Sequence, residues 1–375
     1  MRDDINRPAG DQPPSEPPLP PASVAALLDA RRQMTICNAC RYCEGYCDVF
    51  PAITRSAPFA DGDIVQLANL CHNCRGCYYA CQYTEPHEFA LNLPAALAKV
   101  RTESWERYIW PRRFTTLFQE RGGAIALATV AGFAAFIALI QALPEGDGAG
   151  FYAFVPHNVM VAIFLPAFFL PLLVVAAGLR SYWRTTGGRA IRLAHLGEAV
   201  AAAARLRNLS GGQGQGCNFE KEDRYSDTRR WMHQAVLYGF LLCFASTSSA
   251  TVLHYGFGIE APYGLFSLPK LFGIPGGVLM TVGAAGLIWL KGQADRSLGA
   301  ARMWSGEMGF AHLVLLVAVS GLVLYAATGT VLVAPLLAFH LGAVLAFFLL
   351  MPYSKMVHGF FRMAALIRDA QDRVR

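Results

Sequence analysis

Eight of the ten cysteines lie within 45 residues, in two runs that share the spacing C-x2-C-x2-C-x3-C. Thiolates at every third residue can wrap three corners of an iron–sulfur cubane, and in two-cluster ferredoxins the fourth cysteine of each run ligates the other cluster. The spacing therefore predicts two [4Fe–4S] clusters with crossed ligand sets. The first set is Cys37, Cys40, Cys43 and Cys81, and the second is Cys71, Cys74, Cys77 and Cys47.

Zinc and disulfide bonds are the competing interpretations of these cysteines. A structural zinc site uses two well-separated cysteine pairs rather than two runs of four, and disulfides are disfavoured in a reducing cytoplasm. The runs differ from the usual ferredoxin pattern at one point, because Asp48 and Gln82 stand where proline commonly follows the fourth cysteine. Cys217 and Cys243 lie outside the runs and are interpreted as free thiols.

The elements that position these cysteines are dominated by apolar sequence. The chain is 54% hydrophobic and only 15% charged, whereas an ordinary soluble domain carries about 25% charged residues. About 20 helical residues cross a bilayer, and six apolar stretches are of that length, so we predict six membrane spans. They cover residues 122–143, 157–179, 233–255, 273–290, 309–330 and 331–353.

Basic residues near the span ends predict the orientation of the chain. Arginines and lysines crowd the segments before span one, between spans two and three, between four and five, and after six, while the opposite loops offer only Lys270. We therefore expect the inner (cytoplasmic) membrane, with both termini in the cytoplasm. The basic residues that line one membrane face account for the net charge of +6, so no nucleic-acid partner is predicted. A transporter is disfavoured because the spans carry almost no charged residue.

The predicted fold class is all-α, a cytoplasmic α-helical ferredoxin-like two-[4Fe–4S] domain followed by a six-helix transmembrane bundle. Apolar periodicity at 64–70 and the segment 23–33 both indicate helices in the cysteine-rich part. The predicted boundaries are a disordered proline-rich tail over 1–22, the two-cluster domain over 23–115, the membrane domain over 116–355 with a cytoplasmic loop at 180–232, and a cytoplasmic tail over 356–375.

Histidines at the ends of the spans predict b-type haem, one or two per chain, because haem iron takes axial histidine ligands. His340 and His358 are 18 residues apart, which on one continuous helix is five turns and about 27 Å. His233 and His254 bracket span three. We predict an outer haem between His254 and His340 and an inner haem between His233 and His358.

Two further histidines keep this assignment open. His312 is an alternative inner ligand in place of His233, and His157 competes with His254 at the outer side. Lys355 and Arg362 flank His358 and are predicted to contact haem propionates, although a cation that reaches for the membrane surface explains them equally well.

The last span and its extension resemble the final haem-carrying helix of the nitrate reductase gamma subunit family. The stretch FHLGAVLAFFLLMPYSKMVHGF contains a histidine, an apolar run, and a Pro-Tyr-Ser-Lys-x-x-His ending. The resemblance implies that His340 and His358 ligate two different b haems. The resemblance gives weaker support to His233 and His254 as the partner ligands, because the family's other ligand helix has its two histidines closer together than these two residues.

Over residues 30–365 the order of parts is similar to that of the tricarballylate (or citrate) utilization protein B family. The stretches CHNCRGCYYACQYTEPHEFALNLP and RRWMHQAVLYGFLLCFAST carry this resemblance. It implies a membrane protein that reoxidises the reduced flavin (FADH2) of a cytoplasmic FAD-dependent dehydrogenase, one that oxidises tricarballylate to cis-aconitate.

The residues of this chain are consistent with electron flow from the flavin of a separate protein into the membrane. The chain has no G-x-G-x-x-G after a strand, and its run GGQGQG at 211–216 is interpreted as a flexible loop, so the flavin is expected in a partner. A lipid-soluble quinone is the natural acceptor. We predict an electron-transfer component with no catalytic residues of its own. The alternatives are a membrane anchor of a nitrate- or heterodisulfide-reductase-like enzyme and a redox sensor without haem.

Overall fold

A computed structural model describes residues 21–142, 150–212, 214–220 and 223–373, apart from the side chains of residues 21 and 22. The tail predicted to be disordered, residues 1–22, therefore lies outside the described residues except for Pro21 and Ala22. These two residues begin the first helix, which therefore starts before the predicted helical segment 23–33.

The described residues form thirteen α-helices and four short 3-10 helices, and they contain no β-strand. The predicted all-α class is confirmed, since only one isolated bridge, between Cys217 and Ser226, interrupts the helical pattern. The α-helices are α1 (Pro21–Cys40), α2 (Val49–Ser56), α3 (Asp61–Leu70), α4 (Gly76–Tyr79), α5 (Leu93–Tyr108), α6 (Arg112–Gln141), α7 (His157–Thr185), α8 (Leu193–Arg205), α9 (Thr228–Phe257), α10 (Leu268–Gln293), α11 (Trp304–Ala326), α12 (Val333–Leu350) and α13 (Val357–Arg373).

Six of these helices are long and apolar enough to cross a membrane, namely α6, α7, α9, α10, α11 (with the short 3-10 turn before it) and α12. The predicted multi-pass membrane architecture is confirmed. Most of these helices extend beyond the predicted apolar stretches because turns at their ends continue the helix, whereas α7 begins at the predicted His157 and α12 is shorter than predicted. In α6 a non-helical residue, Arg121, marks the kink between its polar first part and its spanning part.

Small residues bring the spanning helices close together. A Cβ placed on Gly122 of α6 would lie 2.5 Å from the Cα of Gly306 in α11, and one on Gly239 of α9 would lie 2.6 Å from the backbone nitrogen of Met280 in α10. Only glycine allows these backbones to approach so closely, which is the common way that helices associate inside lipid.

The helices α1, α2, α3 and α5 of the cysteine-rich part form an apolar core to which α7, α8 and α13 also contribute. Met34, Ile53, Leu67 and Leu97 are all at most 1% exposed, and burying a side chain of this size stabilises a fold by about 1.5–3 kcal/mol. Trp105 also lies in this core, and its indole donates a hydrogen bond to the Asn69 side chain at 3.0 Å.

Residues 351–356 separate the sixth span from the C-terminal helix. The sequence analysis placed His340 and His358 on one continuous helix, and that inference is wrong, because α12 ends at Leu350 and α13 begins at Val357. The break contains Pro352, which lacks a backbone N–H and so cannot donate a helical hydrogen bond, while Met351 before it still has helical backbone angles.

Helix α13 returns to the cysteine-rich part instead of continuing away from the bundle. The amide of Gln66 in α3 donates to the carbonyl of Ala365 at 2.8 Å, and the hydroxyl of Tyr182 in α7 donates to the Gln66 side-chain oxygen at 2.6 Å. The C-terminal segment, the inner end of α7 and the cysteine-rich helices therefore share one core.

Candidate metal and haem sites

The first group of cysteines lies around a pocket at the end of α1. Cys37 and Cys40 occupy the last turn of that helix, and Arg41, at φ +54°, reverses the chain so that Cys43 returns to the same side. The pocket is lined by Cys37, Cys40, Cys43 and Cys81, together with Tyr42, Phe50, Gln82, Tyr83 and Leu91.

The electrostatics of this pocket favour the binding of a positively charged group. The pKa of the Cys37 thiol is raised to about 12, first by burial and then by charge on Cys81, Cys43 and Cys40. Four neighbouring thiols cannot all ionise without a compensating cation, because like charges oppose one another. A metal centre reverses that balance by deprotonating the thiols that bind it.

The second group lies around a neighbouring pocket, between α2, α4 and α5. Asn73 and Arg75 both have positive φ, +52° and +70°, which folds the chain tightly around Cys74. The cysteines that line this pocket are Cys47, Cys71, Cys74 and Cys77.

The two pockets are adjacent. Phe50 lines both of them, and charge on Cys43 of the first pocket contributes to raising the pKa of Cys77 in the second. The four cysteines lining each pocket are the same crossed set that the spacing predicts, and each set draws its fourth member from the other run.

The cysteines surround these pockets rather than converging on a point. Among the described residues, no group of three or more His, Cys, Asp or Glu side chains is placed to hold a single metal ion. Zinc holds four ligands about 2.0–2.3 Å from one centre, whereas a cubane is ligated at separate irons. The donors therefore suit a cluster better than one ion, and the ligand assignments stay predictions.

Arginines from distant parts of the chain bind the backbone of the second cysteine loop. Arg229, at the start of α9, donates to the carbonyls of Asn73 at 2.7 Å and His72 at 3.1 Å. Arg362 of α13 donates to the carbonyl of Cys71 at 2.6 Å, and Arg101 of α5 donates to it at 2.8 Å. Sequence reasoning missed Arg101 and Arg229, because nothing in their spacing links them to the cysteines.

The glycine-rich segment after α8 covers the second loop. The backbone nitrogen of Asn218 donates to the carbonyl of Cys74 at 2.9 Å, and Gly212 lies against the backbone of Gly45 so closely that a Cβ would overlap it. Cys217 is 1% exposed. We interpreted 211–216 as a flexible loop, and this is corrected for its described residues, because their contacts hold them on both cysteine runs.

His233 and His358 are brought together at the inner end of the membrane bundle. Their ring centroids are 5.9 Å apart, and the rings are nearly perpendicular. Nδ1 of His358 donates to the carbonyl of Lys355, which leaves Nε2 as the free nitrogen, while Nδ1 of His233 is buried without a partner. Burial lowers the pKa of His358 well below its ordinary value, so the ring is neutral, as a metal ligand must be.

His72 connects this histidine pair with the second cysteine pocket. It lines that pocket, and Nδ1 donates to the carbonyl of Leu70 at 2.9 Å. Burial lowers the pKa of His72, and Arg362, Arg229 and His233 are close enough to lower it further. The second pocket is therefore the one that faces the membrane bundle.

The structure does not bring the predicted outer pair into ring contact. His254 stacks on His157, with centroids 4.3 Å apart and planes 27° apart, and His157 Nε2 is 2.9 Å from the hydroxyl of Tyr255. Within the described residues, no ring contact joins His254 with His340. Nδ1 of His340 instead hydrogen-bonds with the Ser320 hydroxyl at 2.9 Å.

The alternative inner ligand and the predicted propionate contacts have other neighbours. His312 is exposed, and its Nδ1 donates to the Met308 carbonyl at 2.8 Å. Lys355 pairs with one carboxylate oxygen of Glu307 at 2.6 Å, and Lys291 pairs with the other. Because Lys355 and Arg362 both have protein partners here, their contacts with propionates stay predictions.

Helix α9 is covered only loosely by the rest of the bundle. Of its 30 residues only Gly239 is buried, and this residue packs against α10. Helix α9 contacts α12 through ring pairs such as Phe240 with Phe347, whose ring centroids are 5.8 Å apart. It contacts α7 through ring pairs such as Phe244 with Phe168, whose ring centroids are 6.2 Å apart. Bundles hold haem between facing helices of this kind, so the residues present fit a haem there.

Known proteins resemble this chain in both of its parts. Residues 112–375 match the family described as Citrate utilization protein B, and residues 30–106 match the Citrate utilization protein B Fer4-like domain. The chain is 42% identical over 355 residues to Citrate utilization protein B of Escherichia coli, covering 92% of this chain and 93% of that protein. No solved structure matches it.

Proposed function

This chain belongs to the citrate utilization protein B family, and from that premise we propose that it passes electrons from a reduced flavoprotein to membrane quinone. The predicted resemblance to this family is confirmed, and the Fer4-like domain with six apolar helices supports an electron-transfer role. The proposed carriers are two [4Fe–4S] clusters and b-type haem. When bound, these groups each accept and release one electron. The resemblance to the nitrate reductase gamma family stays a prediction.

The observation that carries the proposal is the order of the candidate sites. The two cysteine pockets share the side chain of Phe50. His72 of the second pocket is within electrostatic range of His233, and the ring of His233 lies 5.9 Å from that of His358. One continuous series of ligand-type side chains thus runs from the cysteine-rich domain into the membrane bundle.

Exposure indicates where the partner delivers electrons. Cys40 of the first pocket is exposed, and Tyr42 beside it is 66% exposed. The second pocket is covered by the 211–220 segment and by Arg229. A docked flavoprotein can therefore approach the first pocket directly, while the second is positioned to connect with the bundle.

The partner that we propose is a cytoplasmic FAD-dependent dehydrogenase that acts on tricarballylate or a related carboxylic acid. The relative from Escherichia coli is named for citrate utilization, and this name supports a partner that handles such acids. Lipid-soluble quinone is the proposed acceptor because the histidine-bearing helices lie within the bilayer. The proposed membrane is the inner (cytoplasmic) membrane, with both termini in the cytoplasm.

Metal and haem analysis of the anaerobically purified full-length protein tests the carriers. We expect eight non-haem irons per chain, one or two haems, and a dithionite-reduced spectrum with a b-type band. Cys77→Ser is expected to lose one cluster, whereas the matched control Cys243→Ser, outside both pockets, keeps both. A colourless protein, or one that binds only zinc, would overturn the proposal.

Stopped-flow reduction tests the partner separately. A tricarballylate dehydrogenase, pre-reduced with its substrate, is expected to reduce the clusters, and added quinone is expected to reoxidise them. A heterodisulfide- or nitrate-reductase-type partner serves as the comparison. If all cofactors are present but only the comparison partner exchanges electrons, the carrier assignment stands and the partner assignment is wrong.

A further inference from the structure

Helix α8 carries an apolar stripe that the protein does not cover. Leu193, Leu196 and Val200 are 87%, 38% and 49% exposed, and at about 100° per residue they lie within about 60° of one another around the helix. The other side of α8 is occupied, since Ala199 and Ala202 are buried in the core that α13 shares. The stripe is therefore a separate exposed face.

The C-terminal end of α8 is attached to a membrane-spanning helix. The Arg205 carbonyl accepts hydrogen bonds from Arg230 at 3.2 Å and from Gln234 at 3.3 Å, and the Ala204 carbonyl accepts one from Tyr238 at 2.9 Å. Tyr238 lies ten residues inside α9, about 15 Å from its first residue. The end of α8 is thus held at the level where α9 enters the bilayer.

The N-terminal end of α8 also follows a span. Residues 186–192 connect it to α7, which ends at Thr185. Along the chain α8 therefore stands between the spans α7 and α9, with the short 3-10 helix 207–209 after it, and its bonds to the first turns of α9 keep it near the end of the bundle. The exposed stripe then continues the lipid-facing surface of the bundle.

Exposed positive charge accompanies the stripe. Arg180, Arg184 and Arg192 are exposed, and in the described part of the chain no hydrogen bond or ion pair occupies their guanidinium groups. The one acidic residue of α8, Glu198, is paired with Arg373 at 3.1 Å. The end of α7 and the start of α8 therefore carry a surplus of unpaired cations.

We propose that α8 is an interfacial helix that binds anionic phospholipid, with Leu193, Leu196 and Val200 among the acyl chains and Arg180, Arg184 and Arg192 on the headgroups. An amphipathic helix with a basic border binds a bilayer surface through buried apolar area and attraction to anionic lipids. Continuity with the spanning helices selects lipid as the occupant. The binding depends on none of the proposed cofactors.

Site-specific photocrosslinking in the membranes of the expressing cells tests the occupant. The photoreactive residue p-benzoylphenylalanine replaces Leu196 in one full-length variant and Ala194, about 160° away on the same helix, in the matched control. We expect phospholipid adducts at position 196 and several-fold fewer at 194. Protein adducts at 196, equal lipid labelling at both positions, or no adduct at 196 would each overturn the proposal.

Nanodiscs with equal phosphatidylcholine and phosphatidylglycerol test the charge. The adducts at position 196 are expected to be enriched several-fold in phosphatidylglycerol. The double variant R184Q/R192Q is expected to lose that enrichment, and R184K/R192K, which keeps the charge, is expected to retain it. Adducts that follow the bulk lipid ratio in the parent would contradict headgroup recognition.

Discussion

The guanidinium of Arg362 donates a hydrogen bond to the carbonyl oxygen of Cys71 at 2.6 Å, across 291 positions of sequence. This contact joins the C-terminal helix to the second cysteine loop. A charged donor beside a cluster stabilises its reduced, more negative state, because net charge and hydrogen bonding set iron–sulfur potentials. Arg362 therefore links the end of the chain to the electronic properties of the second site.

Arg362→Gln is expected to lower the midpoint potential of the second cluster and leave the first unchanged. A hydrogen bond to a charged group contributes about 1.5–3 kcal/mol, and about 59 mV corresponds to a tenfold change in a one-electron equilibrium. We expect a decrease of roughly 60 mV or more, measured by redox titration with electron paramagnetic resonance.

Arg368→Gln is the matched control for this prediction. Arg368 lies on the same helix, but its guanidinium bonds to the Thr186 carbonyl and to Asp372. Its replacement is expected to leave both potentials where they are. Equal shifts in the two variants would assign the effect to α13 as a whole rather than to the Cys71 contact.

His233→Ala and His358→Ala are each expected to remove the inner haem while both clusters remain. Loss of either axial ligand leaves the iron with one protein bond, and the two rings are the pair that the structure brings together. The reduced absorption spectrum and haem content per chain provide the measurement. His312→Ala is the control and is expected to keep the haem, because this exposed side chain hydrogen-bonds with the Met308 carbonyl. If the His312 variant loses the haem and the His233 variant keeps it, His312 rather than His233 is the inner ligand.

His340→Ala is expected to remove an outer haem band and leave the clusters intact. The partner of His340 is tested by His254→Ala and His157→Ala, since these two rings stack with each other at 4.3 Å rather than with His340. If His254 is the second ligand, its variant loses the same band and the His157 variant keeps it. A His340 variant with an unchanged spectrum would count against the outer site altogether.

Glu307→Gln is expected to destabilise the inner end of the bundle. Its carboxylate lies between Lys291 and Lys355 with only 15% of its side chain exposed, so its removal leaves two ammonium groups facing each other. Breaking a buried ion pair costs about 3–5 kcal/mol, which thermal unfolding in detergent would report as a lower midpoint.

Glu120→Gln is the comparison for the Glu307 variant. Glu120 pairs with Arg302 at 2.9 Å, but both side chains are nearly half exposed. Exposed ion pairs contribute about 0–1 kcal/mol, so this variant is expected to unfold close to the parent. A Glu307 variant as stable as the Glu120 variant would show that the lysines find other partners.

Local spacing and hydropathy alone predicted the all-α class, the six spans and the two cysteine runs. These features depend on residues within a few turns of one another, where chain geometry determines which atoms can meet. The same spacing predicted crossed cysteine sets, and the two pockets are lined by those sets. Pro352 is visible in the sequence, but the haem-helix pattern predicts one continuous helix across it, and the structure has two helices there.

Tertiary structure alone decided which distant side chains meet. Arg229 reaches Asn73 across 156 positions, His254 faces His157 rather than His340, and the 211–220 segment covers the second cysteine loop. No periodicity relates such residues, because their separation depends on how whole helices pack. That packing is set by close approaches such as Gly122 on Gly306, whose partners are known only once the bundle is assembled.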